Sequence, residues 1–245
     1  MARKDETTAR EDFRYGGLQV FTSAFLIGLM ALMMLMFVWL AAEITVGGDL
    51  VFGLSLFGAC LLFVALSRIM VRDFIFRSRW RIQLGPEEAW FSLPVWRLLS
   101  GPEPSLVGPL AYSSIAAIEW REEAMRSLGL TALNRVYAIR LKSGGVIALG
   151  EDRPVADTGQ YTALAGDAAR ALANRARVQL VERPMAEGKT GFLTLWGNER
   201  APWPEDDTPG ALSEEDERGI RRGLALTQFV PIAAFAIIIL VRIFG

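Results

Sequence analysis

Residues 18–42 read LQVFTSAFLIGLMALMMLMFVWLAA, twenty-five positions without one charged side chain. A helix needs ~20 apolar residues to cross a hydrocarbon layer of ~30 Å. The apolar stretch of a cleavable signal peptide is normally only ~7–15 residues long. Despite the small pair Ala41-Ala42, this block therefore reads as a retained membrane anchor, and the rest of the chain is read from it.

Two further apolar blocks follow. Leu50 to Ser67 is uncharged and closes on Arg68, whose long side chain can snorkel to the interface, so the second span is placed at 50–68. Leu224 to Val241 contains Pro231, which membrane helices tolerate at the cost of a kink. Arginines fix the orientation. Arg68, Arg72, Arg77, Arg79 and Arg81 follow the second block against Asp73 alone, and Arg218, Arg221 and Arg222 precede the third. The loop Glu43 to Asp49 carries two acids and no base. The positive-inside rule then places the N-terminus and the middle of the chain in the cytoplasm of a bacterial-type inner membrane, with the C-terminus on the opposite side.

Composition agrees with segregated blocks. Of 245 residues 52% are hydrophobic and 22% charged, and the mean hydropathy is positive, +0.29. The 26 basic and 27 acidic residues, a net charge of −1, exclude a strongly basic nucleic-acid binder. There is no histidine, which excludes imidazole metal sites, His-held haem and His general-base catalysis. Cys60 is the single cysteine, so no internal disulfide forms. Glycine-rich phosphate loops are absent, and the three lysines, Lys4, Lys142 and Lys189, have no serine motif beside them. The expectation is a chain without catalytic residues, cofactor or metal.

The anchors carry no mid-membrane charge, which leaves an ion or proton pathway without residues. Small residues at Ala24/Gly28 and Ser55/Ala59 recur at i, i+4 and allow close helix approach, within the hairpin or with a partner. Met30, Met33, Met34 and Met36 form a soft surface suited to lipid or another subunit.

From Trp80 the pattern changes to short strands. Residues 80–84 and 89–93 alternate around Gly85-Pro86, and 99–109 is a Gly/Pro/Ser-rich loop. Ile115 to Trp120 is a strand, and the stretch 122–134 has no clear pattern. Tyr137, Ile139 and Leu141 alternate up to the Ser143-Gly144-Gly145 turn, and Val146 to Leu149 returns as a hairpin. Asp157 with Gln160 resembles a capping box before an apolar stripe at Tyr161, Leu164, Ala165, Ala168 and Leu172. A short strand at 178–181 follows.

The strand series, the Ile115/Ile118 strand, the hairpin from Ile139 to Leu149 and the closing helix together resemble bacterial pleckstrin-homology-like domains, over about residues 80–181. The resemblance implies a partly open β-barrel or bent sheet capped by one helix, binding proteins or lipids without catalysis.

The fold class expected is thus an integral membrane α+β protein. It has a cytoplasmic N-terminal segment (1–17), a transmembrane hairpin (18–71) and a cytoplasmic PH-like domain with its extension (72–196). An acidic, Pro-rich linker (197–217) and a C-terminal transmembrane helix (218–245) complete it. The linker has eight acids against Arg200 alone, and the domain is expected to close without 197–245. Arg72, Arg77, Arg79 and Arg81 are candidate contacts for anionic lipid, with topology setting as their plainer role; Arg77, Arg79 and Arg81 would share one face if the first strand begins as early as residue 77. Trp196, Trp203 and Gln228 are candidate contacts for partner proteins in the membrane. The function expected is an accessory, scaffold or assembly factor of a larger membrane complex, with recognition of anionic head groups as the alternative.

Overall fold

The computed structural model describes residues 11–48, 50–98, 101–127, 130–153, 164–189, 203 and 212–225. Strand β1 (Glu11–Arg14) leads into α1 (Gly17–Val46), and α2 (Leu50–Arg79) returns to β2 (Arg81–Leu84). β1 and β2 pair antiparallel, Glu11 opposite Leu84 and Arg14 opposite Arg81. Two 30-residue helices are therefore inserted between neighbouring strands of one sheet. β3 (Glu88–Leu93) and β4 (Leu106–Ala111) complete that sheet in the order β1-β2-β3-β4.

The second sheet is β7-β6-β5-β8, built from β5 (Ile115–Ser127), β6 (Leu130–Leu141), β7 (Val146–Asp152) and β8 (Leu180–Glu182). β9 (Ala186–Lys189) pairs with β5 beyond β8, and both run parallel to it. The two sheets and α3 (Leu164–Ala176) enclose one core. Ile82, Leu84, Phe91 and Leu93 from the first sheet meet Ile115, Ile118, Ile139 and Leu149 from the second. Ala165, Ala168, Ala169 and Leu172 line the buried side of α3, where small side chains let the helix lie close to the sheets.

α1 and α2 meet along a seam that repeats every seven residues. Val20, Ile27, Met34 and Ala41 are the less exposed positions of α1, with Ser23, Met30 and Phe37 between them. Gly53, Cys60, Ser67, Leu56, Phe63 and Met70 do the same on α2, and Phe37 stacks on Phe63 at 5.3 Å. A 3-4 spacing of this kind is the packing of antiparallel helix pairs. Close approach is set by Gly53, where a Cβ would lie 2.0 Å from Thr45 Oγ1. Ala24, Gly28 and Ser55 are exposed and lie off the seam, which removes them from hairpin packing. Met30, Met33 and Met34 turn toward the seam and Met36 away from it.

Among the described residues α1 is the one helix that is long and apolar enough to cross a membrane, with a mean hydropathy of 2.5 over its best window. α2 keeps its charges, Arg68, Arg72, Asp73, Arg77 and Arg79, in its last twelve residues.

Several sequence expectations need correction. Arg77 and Arg79 lie on α2, so they do not share a strand face with Arg81: helical hydrogen bonding continues to Arg79 and the first core residue after it is Trp80. Residues 11–14 of the expected cytoplasmic N-terminal segment form β1 of a sheet. β4 starts at residue 106, inside the expected 99–109 loop, and the described residues of the unpatterned 122–134 lie in the long β5–β6 pair. A helix, α4, occupies residues 214–225 within the expected linker and the start of the expected span. Its Ile220 is fully buried with Ala124, Leu133 and Met185, so this segment contributes to the domain's packing. Asp157, Gln160, Tyr161, Trp196, Gln228, Pro231 and the apolar block beyond Ala225 lie outside the described residues.

Candidate functional site

At the base of the hairpin an aromatic cluster receives both helices. Tyr15 meets Phe76 at 5.2 Å and Trp80 at 5.8 Å, edge to face. Trp80, 2% exposed, donates its indole N–H to the Leu149 carbonyl at 2.7 Å, tying the end of α2 to β7. Burial pushes the Tyr15 phenol above its ordinary value. Arg153 adds an ionic tie, donating to Glu151 Oε1 at 2.8 Å and to Asp73 Oδ1 at 2.7 Å.

The candidate lipid arginines separate into different environments. Arg77 donates to Asp73 Oδ2 at 2.6 Å. Arg81 makes a two-pronged pair with Asp12, both bonds 2.8 Å, and the Asp12 carboxyl is lowered chiefly by that bond. Arg79 is exposed and offers its backbone carbonyl to Ser92 Oγ at 2.8 Å. The Arg72 guanidinium lies 3.8 Å from the centroid of the Trp96 ring. Partial burial and then the like charge of Arg68 push Arg72 below its ordinary value. Trp96 sits on a turn clasped by Arg97, which is 1% exposed and donates to the carbonyls of Ala148 (2.6 Å), Pro94 (3.0 Å) and Pro104 (2.8 Å). Sequence reading missed Trp96 because nothing local ties residue 96 to residue 72.

The outer face of the second sheet is ionic. Glu119, fully buried, accepts from Arg140 at 2.6 Å, from Arg183 at 2.6 Å and from the Trp203 indole N–H. Burial alone would raise its carboxyl, but these donors bring it down to about 2. Arg121 pairs with Glu123 at 2.7 Å and lies 4.1 Å from the Trp203 ring. Trp203, a candidate partner contact, is thus seated on its own chain.

Asp152 is the other buried carboxylate of note. It accepts the N–H groups of Ala165 and Gly166, each at 3.0 Å, and a bond from the Tyr137 hydroxyl. Burial outweighs these donors and raises it to about 6, while burial and then Asp152 push Tyr137 up to about 12. The arrangement holds the first turn of α3. Gly166 is required by contact, since a Cβ there would lie 2.6 Å from the Tyr137 oxygen. Among the described residues no three metal-ligating side chains converge.

The first sheet has an open groove of about 840 Å³ beside Gln83, Pro86, Glu87, Glu88 and Trp90. Trp90 is 38% and Val107 70% exposed on the same outer face, an arrangement suited to contact with another surface.

No family model matches the chain, and neither curated proteins nor solved structures give a match.

Proposed function

We propose that this chain is a membrane-anchored interaction protein without catalytic activity, acting as an accessory, scaffold or assembly factor of a larger complex in a bacterial-type inner membrane. One observation carries the reading: the apolar helical hairpin is inserted between the paired strands β1 and β2. Both ends of the anchor are fixed in the sheet, so the domain is held at a set orientation to the membrane with its groove and its exposed Trp90 presented to a partner. A flexible tether would serve a diffusing enzyme better than a docking surface. The pleckstrin-homology-like reading draws support from the four-stranded meander, the following three antiparallel strands β5, β6 and β7 and the packed helix α3.

In this reading α1 and α2 span the bilayer, and the apolar block beginning at Leu224 forms a third span. Support for the third comes from α4, which climbs the β5–β6 pair: Ile220 lies by Ala124 and Leu133, and Gly223 approaches Thr131. β5 runs in the same direction as β7, whose end reaches Asp73 through Arg153. That direction is toward the hairpin helices, so α4 is aimed at the membrane side. Gentle solubilisation followed by native electrophoresis and mass spectrometry tests the proposal. The chain should migrate within a larger assembly, and migration as a lone 27.0 kDa chain with its detergent would overturn the accessory role.

A further inference from the structure

We infer that Arg68, Arg72 and Trp96 form a binding site for the phosphate of an anionic lipid headgroup. The inference rests on the membrane placement proposed above and names the lipid chemistry that placement brings to the domain. Arg68 and Arg72 are one helical turn apart and share a face of α2. Arg68 is exposed and makes no ion pair among the described residues. It repels Arg72. Guanidinium groups bind phosphate oxygens in two-pronged geometry, and two on one helix face suit a single phosphate.

The site is also preorganised. Stacking on Trp96 engages the flat face of the Arg72 guanidinium, and the N–H groups that bind phosphate lie in the guanidinium plane, along its rim. The Trp96 turn is fixed by the buried Arg97 and by the Glu103 N–H bonded to the Val95 carbonyl at 2.9 Å. Its height is appropriate. Ser92 bonds the carbonyl of Arg79, whereas Trp96 reaches Arg72, roughly 10 Å farther along α2 at the helical rise per residue. Arg68 stands directly after the uncharged stretch 50–67, where lipid phosphates begin. Val95, 40% exposed beside the stack, offers an apolar contact to the adjoining chains, and Trp favours that interface. Arg77 and Arg81 are neutralised by Asp73 and Asp12 and stand apart from the site.

The test uses the full chain purified in mild detergent with equal dioleoylphosphatidylglycerol and dioleoylphosphatidylcholine, and counts retained lipids by native mass spectrometry. The wild type should retain the anionic lipid over the zwitterionic one by about fivefold to tenfold. Arg68→Gln with Arg72→Gln should bring the two near parity, while Arg77→Gln with Arg81→Gln leaves the preference in place. Arg68→Gln alone, at an exposed position that leaves the Trp96 stack intact, should lower the preference to an intermediate value. Equal retention by the wild type, or an unchanged preference in the double variant, overturns the site. Displacement of the lipid by millimolar inorganic phosphate would overturn the lipid assignment in favour of a free phosphate ligand. Because the readout needs no partner protein, its failure leaves the accessory role standing, and a lone chain that retains phosphatidylglycerol leaves the site standing.

Discussion

α1 and α3 are helices of the same chain with opposite relations to their surroundings. α3 has thirteen residues and buries six of them, among them Ala165, Ala168 and Leu172, against the two sheets. α1 has thirty residues and buries Ala41 alone, while Phe21, Leu32, Leu35 and Trp39 are each more than 60% exposed. Apolar area removed from water is worth about 25 cal/mol per Å². α3 obtains that stabilisation from its own protein. α1 packs on α2 along one seam only and leaves most of its apolar surface outside the protein, and it is long and apolar enough to cross a bilayer. Burial within the chain thus separates the part that folds against itself from the part that the proposed reading gives to the membrane.

The largest expected effect is in the self-packed part. Trp80→Ala removes a core ring and the indole bond to Leu149, and should cost about 3–5 kcal/mol. Thermal unfolding of the reconstituted chain, or its resistance to protease, measures the loss. An unchanged midpoint would break the contrast, because the hairpin would then be independent of the sheets.

Ile220→Ala comes next. The residue is fully buried in a small satellite cluster, and the truncation should cost about 2–3 kcal/mol, at the low end for such core deletions. A chain stopped after Lys189 should lose protease resistance for the same reason. Wild-type resistance in that truncated chain would return α4 to the role of a tether.

A third effect is pH dependence. The Asp152 carboxyl sits at about 6 when folded and near 3.9 in an unfolded chain, so between those values the folded state binds more protons. Stability therefore falls by about 2 kcal/mol as pH rises from about 4 to about 6, falls slightly further to about pH 7, and is flat above that. Glu119 acts with the opposite sign: its folded value of about 2 gives stability present above about pH 4.5 and lost as pH falls toward 2. Asp152→Asn should flatten the decline between pH 4.5 and pH 7 in thermal midpoints. An unaltered slope would remove Asp152 from the account. The smallest effect belongs to α1, where Leu32→Ala in detergent should change stability by no more than about 0.5 kcal/mol.

What could be read from the sequence follows the same division. Local alternation marked β2, β3, β6 and β7, and Gly144 at the hairpin turn has the positive φ, 93°, that glycine supplies at no steric cost. The stripe at Leu164, Ala165, Ala168 and Leu172 marked α3. β1 was illegible because its four residues carry no period and its partner β2 follows only after sixty helical residues. Nothing local in the sequence buries Glu119, Arg121 and Glu123, yet each is buried because compensating charges and Trp203 arrive from distant segments. α4 did leave a signal: Ser213 accepts the Asp216 N–H at 3.1 Å, a Ser-x-x-Asp cap ahead of Ile220 and Leu224 that the surrounding acids obscured. In the candidate site Arg72 was visible as one charge in an arginine run. Its stacking partner Trp96 and the neutralisation of Arg81 by Asp12 depend on contacts that no local spacing encodes.

The central claim is that the α1–α2 hairpin crosses the bilayer and holds the sheets on its cytoplasmic side. Single cysteines at Gly47, in the loop after α1, and at Gly144, at the far end of the β6–β7 turn, test it in intact cells with a membrane-impermeant maleimide. Cys60 is buried in the helix seam and should add little background. Gly47→Cys should label from outside, and Gly144→Cys only after the membrane is permeabilised. Labelling of Gly144→Cys in intact cells would contradict both the orientation and the cytoplasmic domain.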